Sequence, residues 1–364
     1  MASGVSDPLR VFLTADPELP VPPRHYGGIE RIIALLADGL TRRGHEVTLF
    51  AHPESQPACR LVPYRGRRSA SGPDSMANAW QIGRAVWRER PDVVQSFGRL
   101  AYLMPVMAST SLKVMSYQRA VTPRSVRLGN WLGRDRIAWT GCSASLIEPV
   151  RQNGRWFVIH NAVDVTAYTG ADTVPADAPL AFLGRIESIK GTHLAIEVAQ
   201  RSGRRLVIAG NVPDEPEHRE YYRTQVAPRV DGSRVVYLGP VDDRAKNELL
   251  SSSAALLMPI QWDEPFGIVM AEALACGAPV IGLRRGSVPE VIEDGVTGFV
   301  CDTLDEMVSA VARLGSLDRS ACRRVAVERF SGHALVNAYE SLYRELLRPG
   351  HRPADAPAIA GPHA

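Results

Sequence analysis

This sequence is short of most features that announce a familiar site. Its five cysteines, Cys59, Cys142, Cys276, Cys301 and Cys322, are scattered and form no Cys-x-x-Cys. That excludes a zinc ribbon or a paired redox motif and reads as reduced, mostly buried thiols of a cytoplasmic protein. No Asp-x-Asp occurs, so the usual carboxylate pair for holding a divalent ion on a sugar diphosphate is missing. His25, His52 and His193 lack metal-ligand spacing, so no metal is expected. There is no Gly-x-Ser-x-Gly elbow, no Walker loop and no Gly-x-Gly-x-x-Gly fingerprint; the last absence argues against a nicotinamide dehydrogenase. No apolar run is long enough to span a bilayer, and residues 1–9 show no signal pattern. The expected location is the cytoplasm, with contact at the inner membrane face left open. Net charge is only +3, so nothing calls for a nucleic-acid partner. Lysine is scarce, and arginine outnumbers it heavily, a bias that GC-rich coding would produce.

What is present is a long alternation of strand and helix signals. At 364 residues and 45% hydrophobic, the chain is too long for one ordinary core, and two domains are expected. Apolar runs at 11–14, 46–50, 92–94, 113–115 and 156–159 predict strands in the first half. A helix with Ile29, Ile32, Ile33, Leu36 and Leu40 at helical spacing follows the Gly27-Gly28 turn. The polar segment 168–178 reads as a linker. The rhythm restarts with runs at 180–183, 206–209, 235–238, 255–258 and 279–282. Such alternation implies α/β architecture: two doubly wound, Rossmann-like domains, each a parallel sheet covered on both faces. The expected boundaries are 1–167 and 168–330. A helix over 331–348, with Leu335, Tyr339 and Tyr343, would cross back to the first domain, and a Pro/Ala-rich tail, 349–364, would be disordered.

Two motifs stand out. Glu264-Pro265-Phe266-Gly267-Ile268 leads into a small apolar helix carrying Glu272. A loop acid and a second acid about two turns into the next helix can converge on one ligand, where the helix dipole also favours an anion. Hydroxyl groups for the carboxylates and a diphosphate for the helix end describe a sugar nucleotide. The other motif, Gly184-Arg185-Ile186-Glu187-Ser188-Ile189-Lys190-Gly191, follows the first strand of the second domain. It can present a guanidinium fork and a point charge to a diphosphate.

The segment 264–299 resembles the donor-site signature of the retaining GT-B glycosyltransferases of family 4, glycosyl transferases group 1. Glu-x7-Glu, the following Gly-x-Pro-Val-Ile and Gly-x-x-Gly-Phe all match. Tyr26-Gly27-Gly28-x-Glu30, the Gly184 to Gly191 loop and Val207-Ile208-Ala209-Gly210 match in order. The resemblance implies a GT-B fold with a central cleft and a metal-independent hexosyltransferase of polysaccharide or glycoconjugate synthesis, needing no cofactor. It implies that Arg185 and Lys190 bind the donor diphosphate, that Glu264 contacts the sugar and that Glu272 contacts the ribose. The backbone of Phe266, Gly267 and Ile268, with Gly184, would cradle sugar and phosphate, and Gly27 and Gly28 would close over the phosphate. UDP-glucose is the first expected donor and GDP-mannose the second, with a hydroxyl acceptor of unknown kind. Two positions depart from the family: Gln95 and Gln118 stand where histidines are usual. Glutamine can hydrogen-bond a sugar or acceptor but cannot shuttle a proton near neutral pH. An epimerase or hydrolase of the same fold, or a non-catalytic nucleotide-sugar-binding module, are the rival readings.

Without an Asp-x-Asp, sugar transfer should persist in EDTA. Abolition by EDTA with rescue by Mn²⁺, in a radiolabelled donor assay, would overturn this.

Overall fold

The computed structural model describes residues 7–24, 27–133 and 136–348. Tyr26 and the 349–364 tail lie outside the described residues. The chain divides into two compact units, Met1–Asn161 with Gly332–Ala364, and Ala162–Ser331.

The first unit is built on a seven-stranded parallel sheet. Its strands are β1 (Arg10–Thr14), β2 (Glu46–Ala51), β3 (Arg60–Pro63), β4 (Val93–Ser96), β5 (Leu112–Tyr117), β6 (Ile137–Gly141) and β7 (Trp156–Val158). The order across the sheet is β3-β2-β1-β4-β5-β6-β7, so the winding direction reverses between β1 and β4. Strands such as β4 and β6 are buried along their whole length because helices cover both faces. β3 and β6 escape the sequence reading. β3 is a half-exposed edge strand bounded by Arg60 and Pro63, and Pro63 suits an edge. β6 ends in Thr140-Gly141, which interrupts its apolar run.

The second unit repeats the plan with six strands: β8 (Leu180–Leu183), β9 (Leu206–Ala209), β10 (Val235–Tyr237), β11 (Ala255–Met258), β12 (Val280–Leu283) and β13 (Gly298–Cys301). Their order is β10-β9-β8-β11-β12-β13, with the reversal between β8 and β11. Among the described residues, no helix is long and apolar enough to cross a membrane.

The helix Gly332–Leu347 belongs to the first unit, so the chain does return to it. It lies against the helix Gly28–Arg42, and Gly39 lets it approach closely: a Cβ there would stand 2.3 Å from Val336 Cγ2. Arg43 and Glu340 pair at 2.7 Å across the contact. Beneath the helix lies a buried polar network. The Gln95 amide donates to Ser116 Oγ at 2.7 Å, and Thr140 Oγ1 donates to the same oxygen at 2.7 Å. The Tyr339 hydroxyl lies 3.3 Å from both Ser116 and Thr140, and the Tyr343 hydroxyl donates to Gln95 Oε1.

This network corrects the expectation that Gln95 contacts sugar or acceptor. Side chains alternate along a strand, and residue 95 falls on the face that the last helix covers. Gln95 has no exposed surface, and both ends of its amide are engaged. It anchors a helix instead. Tyr343→Phe would strand the buried Gln95 oxygen, at a cost of about 1–3 kcal/mol. Equilibrium urea unfolding should show that loss, while affinity for free nucleotide stays at the wild-type value.

Candidate donor site

Open parallel sheets receive ligands beyond the carboxyl ends of their strands, where the strand order reverses. In the second unit that point lies between β8 and β11. β8 runs directly into Gly184 and Arg185, and β11 runs into the loop that carries Glu264, Phe266 and Gly267. The two sequence motifs therefore leave neighbouring strands at the reversal.

Their loops are clamped together. Gly191 has φ +74, and a Cβ on it would stand 2.0 Å from the Pro259 carbonyl oxygen. No other residue fits that approach. The Gln261 N–H donates to the Ile189 carbonyl at 2.7 Å. Lys190 Nζ donates to Glu264 Oε2 at 2.5 Å, and Trp262 Nε1 donates to the same oxygen at 2.9 Å. The ammonium also lies 4.9 Å from the centre of the Trp262 ring. Side-chain exposure is only 16% for Lys190 and 10% for Glu264, so the pair is well shielded from water. Arg185 sits at the mouth of the same loop, half-exposed. Its Nη1 is 2.8 Å from Glu187, whose carboxylate is buried and also 3.9 Å from His218.

The next helix, Ile268–Ala275, starts at Gly267 with no side-chain cap, which leaves its positive end available to an anion. The Phe266 ring is buried edge-on against Phe330 at 5.7 Å, which fixes the turn before the helix. Glu272 lies within this nearly fully buried helix. Its Oε1 accepts from the Tyr168 hydroxyl at 2.8 Å and from Lys246 Nζ at 2.6 Å. Each glutamate is thus oriented through one oxygen. Glu264 Oε1 and Glu272 Oε2 take no hydrogen bond among the described residues. At the C-terminal cap of the same helix, burial first and Glu272 second push the Cys276 thiol up to about 12.

The structure brings together Gly184, Arg185, Lys190, Glu264, Phe266, Gly267, Ile268 and Glu272 on one sheet edge. Gly27, Gly28 and Gln118 belong to the other unit. Gly27 precedes the helix Gly28–Arg42, beside the buried Glu30, whose carboxyl is raised by desolvation. Gln118 follows β5, half-buried, and its Oε1 has no hydrogen-bond partner among the described residues. Nearby, Asp16 lies 3.0 Å from Arg119, and burial raises its pKa. Among the described residues, no group of three or more His, Cys, Asp or Glu could hold a metal ion.

Four residues of the site escaped the sequence reading: Glu187, Trp262, Lys246 and Tyr168. Glu187 sits inside the Gly184 to Gly191 motif, and Trp262 stands two residues before Glu264. Tyr168 is the aromatic residue at the head of a segment that reads as linker. Lys246 is one of only three lysines in the chain, a rarity that could have singled it out.

Two family models match the chain, Glycosyltransferase Family 4 over residues 26–167 and Glycosyl transferases group 1 over residues 175–325. A stretch of 123 residues is 37% identical to the N-acetyl-alpha-D-glucosaminyl L-malate synthase of Bacillus anthracis, covering 32% of this chain and 32% of that protein. The match thus spans about a third of that relative. The glycogen synthase of Mycobacterium tuberculosis is 26% identical over 91% of this chain and 94% of its own length. Among solved structures, AviGT4, a glycosyltransferase involved in avilamycin A biosynthesis, is 28% identical, with a TM-score of 0.69 over 93% of this chain and 98% of that one. The Anabaena protein HepE, solved with UDP and glucose, shares the fold at 16% identity, with a TM-score of 0.70 over 92% of this chain and 99% of that one.

Lys246→Met would leave the buried Glu272 carboxylate with Tyr168 alone, a loss of about 3 kcal/mol for breaking a shielded pair from one side. Adding Glu272→Gln should restore much of it. Urea unfolding of the wild type, both single variants and the double variant tests this: additive losses would show that the two residues do not interact.

Proposed function

The chain belongs to the group 1 glycosyltransferases and has their GT-B fold, and from that premise we propose that it transfers a hexose from a nucleotide diphosphate sugar to an acceptor hydroxyl, with retention and without a metal. The observation that carries this reading is the 2.5 Å contact of Lys190 with Glu264, which joins a cation and a carboxylate from two loops at the strand reversal. A diphosphate needs the cation, and the sugar it carries needs the carboxylate.

In this reading Lys190 and Arg185 bind the diphosphate and stabilise the charge that grows on it as the bond to the anomeric carbon breaks. Glu264 holds sugar hydroxyls through its unengaged oxygen, and Glu272 does the same for the ribose. The acceptor oxygen bonds to the anomeric carbon on the face the diphosphate leaves. Its proton passes to the departing phosphate oxygen, since Gln118 cannot shuttle one and Gln95 is sealed in the core. UDP-glucose is the first donor to test and GDP-mannose the second. HepE binds UDP and glucose on the same fold, which favours that order. The five free cysteines suit a reducing, cytoplasmic location.

The decisive experiment separates the two glutamates. Glu272→Gln should weaken free nucleotide and intact donor alike, by roughly tenfold, the scale of one hydrogen bond to a charged group. Glu264→Gln should leave free nucleotide affinity nearly intact and mainly lower kcat, as befits an interaction felt in the transition state. Arg185→Ala and Lys190→Ala should each lower kcat/KM by about tenfold or more. Calorimetry with UDP, GDP, UDP-glucose and GDP-mannose, beside transfer rates, gives the answer. Equal loss of nucleotide affinity in both glutamate variants would refute the division of roles.

A further inference from the structure

Among the described residues of the first unit, six large apolar side chains are exposed: Met76, Trp80, Trp87, Met104, Leu128 and Trp131. They do not scatter. Met76, Trp80 and Trp87 follow one another at helical spacing on the helix Gly72–Glu89, so they share one face. Leu128 and Trp131 do the same on the helix Pro123–Gly133. The inner faces of both helices join a single hydrophobic core on one side of the sheet, with residues 102–107 between them. Met104 lies in that connection, and Trp87 Nε1 donates to the Pro105 carbonyl at 3.1 Å. The outward faces therefore form one layer.

Exposure of this kind is unusual for tryptophan, which is highly buried on average. Trp131 is 76% exposed, Trp80 55% and Trp87 54%, half of the six tryptophans in the chain. The same helix faces carry exposed Arg84, Arg124 and Arg127, none of which forms an ion pair among the described residues. The Arg84 guanidinium instead lies 5.6 Å from the centre of the Trp80 ring. Amphipathic rings beside unpaired cations suit a boundary between lipid tails and anionic headgroups.

We propose that this face of the first unit docks on an anionic lipid bilayer, with Trp80, Trp87 and Trp131 seated at the headgroup level and Arg84, Arg124 and Arg127 on lipid phosphates. The arginines argue for lipid over a second copy of the chain. A two-fold interface would bring the same unpaired positive patch against itself. The proposal stands apart from the assignment of the donor site, because none of these residues belongs to it.

Sedimentation of the full chain with phosphatidylcholine vesicles, with and without about a third of phosphatidylglycerol, tests it. The wild type should bind the phosphatidylglycerol vesicles at least tenfold more than the neutral ones. Binding should be lost near 1 M salt, where the screening length falls to about 3 Å. Trp80→Ser with Trp131→Ser should lower binding severalfold, and Arg84→Gln and Arg127→Gln by about fivefold each. Melting temperature and nucleotide affinity should not change in these variants. Absence of vesicle binding by the wild type, or variants that bind as well as it does, would overturn the proposal. So would a concentration-dependent dimer that the tryptophan variants dissolve while vesicles capture nothing, which would assign the face to self-association.

Discussion

The donor-side site depends on one close approach, the loop after β8 lying against the loop after β11. Gly191 makes it sterically possible, since any side chain there would strike the Pro259 carbonyl. Lys190 and Glu264 then join the loops through a shielded ion pair. Such a pair is weak evidence of stability, because desolvating two charges offsets most of their attraction. Its value lies in geometry. It fixes where a cation and a carboxylate stand relative to the start of the helix Ile268–Ala275, and the other features of the site take their positions from that.

The chain's use of lysine sharpens this point. There are three lysines, and none is openly exposed. Lys113 is fully buried with its ammonium 2.6 Å from the Ser109 carbonyl, and burial pulls its pKa down to about 8. The other two each rest on a glutamate of the donor site. Surface positive charge is left to arginine. An ammonium on a flexible stem can turn from a carboxylate to a phosphate without losing donors, which a planar fork fixed on its partner cannot do. Arg185, held by the buried Glu187, is such a fork. In the proposed function, an ammonium rather than a guanidinium suits positions 190 and 246 for this reason.

The reading of the sequence reached furthest where a local pattern is also a structural unit. Apolar runs bounded by turns marked the central strands, because a parallel sheet covered on both faces demands continuous burial. The order of strands then brought two separate motifs to one edge. Edge strand β3 stayed hidden because its residues, half-exposed and bounded by Arg60 and Pro63, carry no burial signal. Gln95 misled because the resemblance puts a ligand-facing histidine at its position. Which face it points to is settled only by the helix that returns from residue 332 and supplies Tyr343, 248 positions away. Tyr168 was invisible for the same reason: it meets Glu272 at a separation of 104 residues.

The two glutamates show how such contacts prepare a site before any ligand arrives. A carboxylate has two oxygens and about four acceptor directions. At Glu264 the oxygen Oε2 is engaged by an ammonium and an indole N–H; at Glu272 the oxygen Oε1 is engaged by an ammonium and a phenol. In each case the partners hold the side chain in one rotamer and leave the other oxygen to receive a donor. A hydroxyl that binds there need not first order the carboxylate, so less of its hydrogen-bond energy is lost to immobilising a side chain. The ammonium beside each glutamate also offsets its charge, so that in the proposed function the site stays near neutral until a diphosphate enters. The positioning cations and aromatic donors are therefore as much a part of the donor site as the acids they hold, and they are the part that sequence spacing alone does not reveal.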